Sequence, residues 1–318
     1  MIRGKLVTLI GGGGFLGRYV AQAFLAEGAR LRIAQRDPRH AHGLKSLGQL
    51  GGVHAVAADI GRPETLARAI QGSDAVVNLV GLLAGDFQRA HVDGARNVAE
   101  AAAREGVGAL VHISAIGADP ASPSNYGRTK GEGEAAVLAA YPQATILRPS
   151  VVFGREDQFL NRFAALIAKL PIVPIVSPAT CFQPVFAGDV ADAVVAAVRD
   201  PAAHGGRTYE LGGPDILSMA ELNRFIARET GRHPRFVEVP DRIGALIAKA
   251  DFLPGAPITW DQWLMLRRDN VVGAGIPGLE AFEVSPTPMA AIAPSYLVQY
   301  RRAGRFGRRA ALRVRPEA

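Results

Sequence analysis

A tyrosine and a lysine stand four positions apart in residues 124–134, SNYGRTKGEGE. On a helix this spacing puts Tyr126 and Lys130 on one face. A lysine ammonium beside a phenol favours the phenolate and lowers the tyrosine pKa toward a range useful for acid–base catalysis. Ser114, which ends an apolar run upstream, could orient a substrate carbonyl or hydroxyl. These three are candidate catalytic residues for hydride transfer between a nicotinamide and a substrate carbon, in which Tyr126 handles the proton and Lys130 also holds the nicotinamide ribose.

A Tyr-x-x-x-Lys pair also occurs by chance at ordinary helix starts, so it must be weighed with the segments around it. In IGGGGFLGRYV, three glycines form a G-x-x-G-x-x-G pattern between a predicted strand and a predicted helix. Such a loop turns tightly at its first glycine, lets the backbone approach a pyrophosphate at its second and packs helix on strand at its third. The alternative is a merely structural glycine turn. The residues predicted to contact a dinucleotide here are Gly11, Gly13, Gly14, Phe15, Leu16 and Gly17.

The second predicted strand ends at Gln35 and Arg36. An NAD-preferring site usually carries an acidic residue there for the ribose hydroxyls, whereas an arginine can pair with a 2′-phosphate and stack on adenine. Arg36 therefore predicts NADP(H) as the cofactor. Asp37, one position later, keeps NAD(H) as a less favoured alternative, although we interpret it as a turn residue before Pro38.

Apolar strand-like segments alternate with helical ones through the first half of the chain. The predicted strands are 5–11, 30–36, 54–60, 74–81, 109–115 and 143–154, and the predicted helices are 16–28, 63–72, 89–105 and one that begins near Asn125. Near-continuous apolar strands separated by helices indicate a parallel sheet covered on both faces. The predicted fold class is α/β, a Rossmann-type doubly wound parallel sheet with a smaller C-terminal substrate-side lobe.

The alternation loosens after residue 155, and a further strand and helix at 183–200 are predicted to return to the sheet. The predicted NADP-binding domain therefore comprises 1–155 and 183–212, and the smaller docking lobe comprises 156–182 and 213–318. Aromatic residues near this lobe could line an apolar pocket for a quinone or isoprenoid-like substrate, or could be ordinary core. They are Phe153, Phe159, Phe163, Trp260 and Trp263.

The order of glycine loop, strand-end serine, tyrosine and lysine resembles the short-chain dehydrogenase/reductase superfamily, in its extended or atypical branch. The resemblance implies that the segments after the third, fourth and sixth strands also contact the cofactor. The residues so implied are Asp59 and Ile60 at the adenine, Leu79, Val80 and Gly81 beside the cofactor, and Pro149 and Val152 near the nicotinamide. One departure is His91, which stands where active members often place an asparagine. It is either a helix-surface residue or a neutral change in a proton relay, and it leaves catalysis open.

Three stretches narrow this resemblance: YVAQAFLAEGARLRIAQRDP (19–38), VVNLVGLL (76–83) and LRRDNVV (266–272). They look like the family of nucleotide-binding accessory subunits of respiratory complex I and its bacterial relatives, over essentially the whole chain. The resemblance implies NADPH held structurally, with complex I subunits near the quinone site as partners and without established turnover. Because the serine, tyrosine and lysine are all present, a free-standing NADPH-dependent reductase or epimerase-type enzyme stays the alternative.

Positive charge is concentrated in an arginine tail, Arg301–Arg315. Residues 299–318 hold seven arginines and one acidic residue, a net +6 of the chain's formal +7. Such a tail suits an acidic partner or an anionic membrane surface, or it is simply a solvated end. No nucleic-acid partner is predicted, because no recognition motif or interleaved aromatic platform accompanies the charge.

No apolar run approaches about 18 residues, so no membrane span is predicted. The single cysteine, Cys181, indicates a reducing compartment, and the scattered histidines predict no metal site. The absence of a presequence favours a bacterial protein. The expected location is the bacterial cytoplasm, peripherally on the cytoplasmic face of the inner membrane.

Overall fold

The structure is a computed structural model that describes residues 2–45, 51–251, 258–302 and 304. Its strands are β1 (Leu6–Ile10), β2 (Arg30–Gln35), β3 (Val53–Ala57), β4 (Ala75–Asn78), β5 (Ala109–Ile113), β6 (Thr145–Pro149), β7 (Val152–Phe153), β8 (Ile172–Val176), β9 (Cys181–Phe182), β10 (Val185–Phe186), β11 (Thr208–Leu211), β12 (Leu217–Ser218) and β13 (Arg235–Val239). Its α-helices are α1 (Phe15–Ala26), α2 (His42–Lys45), α3 (Pro63–Ile70), α4 (Gly94–Arg104), α5 (Asn125–Ala140), α6 (Phe159–Lys169), α7 (Ala187–Arg199), α8 (Pro201–His204), α9 (Met219–Thr230), α10 (Asp241–Lys249), α11 (Trp260–Met265) and α12 (Met289–Leu297). A π-helical turn, Gln88–Asp93, precedes α4.

Seven strands form one parallel sheet in the order β11-β6-β5-β4-β1-β2-β3. β1 lies between β2 and β4, with Val7 opposite Leu31 on one side and Ala75 on the other. The strand order reverses at this point, and in open α/β sheets ligands bind at the carboxyl ends of the strands beside such a switch point. The predicted Rossmann-type doubly wound sheet is confirmed.

Helices cover both faces of the sheet. On one face α1 and α7 pack together and bury residues such as Val20 and Phe24. On the other face α3, α4 and α5 bury residues such as Leu66 and Val98. Every residue of β4 and β5 is buried, as expected for strands in the middle of a sheet covered on both sides. The sheet therefore gives a fixed base to the loops at its carboxyl edge.

The strand predicted at the start of 183–200 lies outside the central sheet. β10 pairs with β7, and the seventh strand of the sheet is β11, which lies beside β6. Pro184 directly precedes β10 and has no N–H to give to a strand ladder, and α7 begins after only two strand residues. The helix does return to the sheet as predicted: α7 contacts β5 and β6 and packs beside α1.

A second core lies around α6, α9 and α12, where Leu160, Leu222, Ile226 and Met289 are buried. Beside it, β8 and β13 form a separate two-stranded parallel sheet. In the part of the chain that the structure describes, no helix combines the length and the apolar character needed to cross a bilayer. The domain boundaries given above stay a prediction.

Candidate functional site

The glycine loop lies at the carboxyl end of β1, at the switch point of the sheet. Gly11 has a φ of +79°, which residues with a side chain rarely adopt. Its N–H donates to Ala34 O at 2.8 Å. A Cβ on Gly17 would lie 2.6 Å from Gly12 Cα, so α1 packs directly on the loop. A Cβ on Gly14 would meet nothing closer than Gly11 O, at 3.4 Å, because Gly14 is exposed. The loop is thus closed toward the sheet and open at Gly14.

The first turn of α1 offers free backbone donors. Arg18 N, which donates to Gly14 O at 3.2 Å, is the first amide of this helix with a backbone partner among the described residues. The amides of Phe15, Leu16 and Gly17 therefore lie unpaired at the positive end of the helix dipole, and no side chain caps them. This arrangement fits the pyrophosphate of a dinucleotide.

Gln35, at the end of β2, is a site residue that the sequence analysis missed. Its Oε1 accepts from Gly13 N at 2.9 Å, and its Nε2 donates to Asp37 O at 2.7 Å. The side chain therefore fixes the glycine loop against the end of β2. The available signal was a polar residue at the end of the strand that follows the glycine loop and its helix.

Arg36 and Asp37 lie in different surroundings although they are neighbours. Asp37 is bound by Arg39, whose Nη2 lies 2.8 Å from Oδ2, and this side-chain hydrogen bond lowers the pKa of Asp37 to about 2. Arg36 is exposed and has no hydrogen bond or ion pair within the described ranges. The arginine is therefore available to a ligand, whereas the aspartate already has a cation.

The loop after β4 touches the glycine loop. A Cβ on Gly11 would lie 3.1 Å from Val80 Cγ2, and Leu79 N donates to Ile10 O at 2.9 Å. Gly81 is exposed, and a Cβ there would meet no atom of the described chain within 4 Å. The structure therefore brings these two predicted cofactor segments to one crevice.

The loop after β3 is tied to the helices beside it. Asp59 Oδ1 accepts from Gly61 N at 2.9 Å, and Ile60 O accepts from Asn97 Nδ2, in α4, at 2.7 Å. Both Asp59 and Ile60 are half-buried. Their predicted contact with adenine stays a prediction.

The helix α5 carries Tyr126 and Lys130 and begins where the sequence predicts. Ser124 caps it by accepting from Gly127 N at 2.9 Å. Lys130 Nζ is buried and donates to Ile113 O at 2.8 Å, directly before Ser114 at the end of β5. The structure therefore brings the lysine and the end of β5 together.

The expected lowering of the Tyr126 pKa is absent. Burial raises the pKa of Tyr126 to about 12, and burial lowers the pKa of Lys130 to about 8 although the Glu134 carboxylate opposes that change. The ammonium is turned to the Ile113 carbonyl, and desolvation penalises the charged form of both groups. Without a bound cofactor Tyr126 is a neutral phenol, which is the form that can give a proton to a carbonyl oxygen.

Ser114 is part of a buried network of charges. Its hydroxyl donates to Glu134 Oε1, and Arg148 holds the same carboxylate through Nε (2.9 Å) and Nη2 (2.6 Å). Arg148 also reaches Glu210 Oε1 at 3.5 Å, and Glu210 Oε2 accepts from Gly273 N at 2.8 Å. Because a carboxylate only accepts, Ser114 must donate to Glu134 and can only accept from a group in the crevice. Of the two roles considered for Ser114, orienting a hydroxyl therefore fits and donating to a carbonyl does not.

His91 is 2% exposed, so its interpretation as a helix-surface residue is wrong. It lies in the π-helical turn before α4, stacks on Phe87 and meets the Tyr126 ring edge-on at 5.4 Å between centroids. Its Nε2 accepts from Leu82 N at 3.0 Å, so its proton is on Nδ1 and is donated to Thr129 Oγ1 at 3.1 Å. The imidazole thus joins the loop after β4 to α5, and both its nitrogens are engaged.

Replacing His91 by asparagine is expected to flatten the acid side of the stability–pH curve. Burial lowers the pKa of His91 from 6.5 to about 4, so between these values the unfolded chain binds more protons and the free energy of unfolding rises with pH. The full contribution is roughly 3 kcal/mol. Urea unfolding between pH 4 and pH 7 measures it. Buried His112, whose pKa burial also lowers, should keep part of the slope in the variant.

The control is exposed His54→Asn, which should leave the slope unchanged. Equal slopes for wild type and the His91 variant would show that His91 is not held neutral in the fold.

Comparison with known proteins shows the family of the chain. Residues 7–212 match the NAD dependent epimerase/dehydratase family. The chain belongs to this family. The mitochondrial NADH dehydrogenase (ubiquinone) 1 alpha subcomplex subunit 9 of Arabidopsis thaliana is 32% identical over 323 residues, which cover 95% of this chain and 80% of that protein. The ceramide reductase of Caulobacter vibrioides is 32% identical over 79% of this chain and 80% of its own length.

A solved structure shares the fold of this epimerase/dehydratase-family chain. The NADPH-dependent quinone oxidoreductase QOR2 of Escherichia coli, in complex with NADPH, superposes with a TM-score of 0.74 at 21% identity. The match covers 92% of this chain and 99% of that one. Membership of the family makes residues 7–212 an NAD(P)-binding domain, and the resemblance to complex I subunits seen in the sequence is confirmed.

Asn270, in the stretch 266–272 that narrows the resemblance, holds the segment after β6. Asn270 Oδ1 accepts from Ser150 Oγ at 2.7 Å and from Val151 N at 3.1 Å, between buried Pro149 and half-buried Val152. Asn270 N also donates to Cys181 O at 2.8 Å. Asn270 therefore fixes the segment predicted to lie near the nicotinamide.

The five aromatic residues proposed for a substrate pocket separate into two groups. Phe153 is fully buried, and Phe159 and Phe163 pack edge-on in the second core, so these three are ordinary core. Trp260 and Trp263 stack on each other at 4.8 Å between centroids and are half-buried in α11. The helix that carries these tryptophans contacts the start of α5 through Asp261.

Proposed function

We propose that this chain binds NADP(H) and serves as an accessory or assembly subunit associated with NADH:quinone oxidoreductase, complex I. The observation that carries the proposal is the similarity to a complex I subunit along 95% of the chain, combined with an open glycine loop at the switch point of the sheet. The name of this relative describes a subunit of an NADH dehydrogenase (ubiquinone), and the open glycine loop offers a place where the present chain would bind the nucleotide.

The proposed cofactor contacts follow the geometry of the crevice. The amides of the glycine loop and of the first turn of α1 would hold the pyrophosphate, and Arg36 would pair with the 2′-phosphate of NADP(H). Lys130 would hold the nicotinamide ribose, and Tyr126 would lie beside it at the nicotinamide end of the cofactor. When bound, the nicotinamide can supply or accept a hydride. The remaining proposed contacts are Asp59 and Ile60 at the adenine, Leu79, Val80 and Gly81 along the cofactor, and Pro149 and Val152 at the nicotinamide.

Replacing Arg36 by alanine is expected to weaken NADPH binding about 10- to 100-fold, because a charge-assisted pair with the 2′-phosphate is lost. NADH binding should be unchanged, since NADH has no phosphate at that position. Calorimetric titration of both nucleotides measures the two affinities. The control is Arg30→Ala, which removes the same charge at the opposite end of β2. Equal losses for NADPH and NADH would contradict the NADP(H) preference.

The proposed partners are complex I subunits near the quinone site, contacted through the C-terminal lobe. In α10, Ile243 and Leu246 are 50% and 70% exposed, one helical turn apart, which suits contact with an apolar partner surface.

The arginine tail would add attraction to an anionic membrane, on the cytoplasmic face of a bacterial inner membrane. Arg301 already donates to Glu229 O at 2.9 Å, and residues 305–318 lie outside the described ranges. A chain that ends at Gly304 therefore tests the tail, and its retention on membranes would show that the tail is not the anchor.

The alternative function is a free-standing NADPH-dependent reductase or epimerase-type enzyme. It is favoured by the similarity to a ceramide reductase and by the presence of Tyr126 and Lys130 near the end of β5, where Ser114 can accept from a substrate hydroxyl. In a reduction, a carbonyl carbon would receive the hydride of NADPH while Tyr126 gives its phenolic proton to the carbonyl oxygen. The products are an alcohol and NADP⁺.

Under this alternative, Tyr126→Phe is expected to slow turnover at least about 100-fold, because the proton donor is lost, and to leave NADPH affinity nearly unchanged. NADPH oxidation with a soluble ubiquinone analogue or an oxo-ceramide as acceptor measures it. The control is Tyr141→Phe at the other end of α5, whose hydroxyl donates to Val107 O. Unchanged turnover in the Tyr126 variant would rule out this mechanism.

A further inference from the structure

The helix that carries Tyr126 and Lys130 is capped by a carboxylate from far along the chain. Asp261, in α11, accepts from the backbone amides of Asn125 and Tyr126, the second at 3.1 Å. The first amides of a helix have no partner within it, and a carboxylate at that end is also favoured by the helix dipole. The first turn of α5 is therefore held partly by its own Ser124 and partly by α11.

The opposite side of α11 is joined to α10. Trp260 N donates to Asp251 Oδ2 at 3.0 Å, directly after α10. A Cβ on Gly244 would lie 3.5 Å from Trp263 Nε1, so the indole packs against α10 where that helix has no side chain. We call α10 and α11 together the α10–α11 pair, residues 241–249 and 260–265. This pair is the link between α5 and the exposed apolar residues of α10.

We propose that Asp261 couples nucleotide binding at α5 to the order of the α10–α11 pair. The proposal rests on the proposed function, in which the nicotinamide end of NADP(H) contacts Tyr126 and Lys130. A ligand that contacts the first turns of α5 favours the conformation in which the Asn125 and Tyr126 amides are held, and Asp261 accepts from those amides only in that conformation. By thermodynamic reciprocity, ordering of the α10–α11 pair then favours nucleotide binding by the same factor.

The coupling gives a bound nucleotide a use that requires no turnover. A chain with NADP(H) would present a fixed α10 surface to its partners, and a chain without it would present a less ordered one. Asp261 is a positioning residue in this scheme, because it contacts backbone amides and no reacting atom.

Hydrogen–deuterium exchange with and without saturating NADPH tests the coupling. In the wild type, NADPH is expected to slow exchange in the α10–α11 pair. In Asp261→Ala, the amides of Asn125 and Tyr126 should exchange faster even without nucleotide, and NADPH should no longer slow exchange in the pair. NADPH affinity should fall about fivefold to tenfold, a coupling at the lower end of the usual range. Asp261→Asn keeps one acceptor oxygen and should restore part of each effect.

Asp251→Ala is the matched control. It removes the carboxylate that binds the first amide of α11 but leaves the contact between Asp261 and α5, so the NADPH effect on exchange in α11 should persist. Equal NADPH affinity and equal slowing of exchange in wild type and Asp261→Ala would overturn the coupling and leave the proposed function intact. A wild-type chain that binds no NADP(H) would overturn both.

Discussion

Replacing Gly14 by valine is expected to abolish NADPH binding while leaving the free energy of unfolding close to that of the wild type. Gly14 is exposed, has a φ of −74° that any residue can adopt, and faces open space toward the crevice. A valine would therefore fit the fold but would fill the space in front of the free amides of Phe15 and Leu16. We expect a loss of at least about 100-fold in affinity, since several charge-assisted hydrogen bonds to the pyrophosphate are blocked together. Calorimetric titration and urea unfolding measure the two quantities.

Gly17→Ala is the contrasting variant. Its Cβ would lie 2.4 Å from Gly12 O and 2.6 Å from Gly12 Cα, both backbone atoms, so α1 must move away from the loop. A loss of about 1–3 kcal/mol in unfolding free energy is expected from such overpacking. Wild-type NADPH affinity in a folded Gly14→Val chain would mean that the nucleotide does not use this loop.

Replacing Glu134 by alanine is expected to destabilise the fold by about 3–5 kcal/mol, because one partner of a buried ion pair is removed and the other remains. Arg148 would lose its two contacts to Glu134 and keep only the longer one to Glu210. Ser114 would also lose the acceptor of its hydroxyl. Urea unfolding at neutral pH measures the change, and the midpoint should fall without a change in slope if the native state stays compact.

Glu132→Ala, two residues earlier on the same helix, is the matched control. Glu132 forms an exposed pair with Arg128 at 3.9 Å, and such pairs contribute about 0–1 kcal/mol. A loss in Glu134→Ala as small as that of the control would show that the buried network contributes little to stability.

The fold could be predicted from the sequence because its signals are local. Apolar strands, helical segments between them and a glycine loop at the first turn each occupy a short stretch, and together they allow few topologies. The start of α5 near Asn125 was predicted correctly, and Ser124 caps it. The strand β11, which completes the sheet, was not predicted. The returning strand was predicted at the start of 183–200 instead, where the short strand β10 follows Pro184.

The features of the site that could not be predicted all depend on contacts between distant segments. Glu134, Arg148 and Glu210 lie on three elements, and nothing in the spacing of these residues shows that their side chains meet. The cap that Asp261 places on α5 crosses most of the chain in the same way. The spacing of Tyr126 and Lys130 shows that the lysine is near, but it does not show that the tyrosine is buried. Burial has the larger effect on the pKa of Tyr126.

The measurement that tests the central claim most directly is native fractionation of gently solubilised membranes from the source cell, in which this chain and bound NADP(H) are followed together. We expect the chain to migrate with complex I and to carry NADP(H) in the same fraction. Migration as a small species apart from complex I, with NADP(H) bound, would contradict the accessory-subunit proposal and support the free-standing reductase.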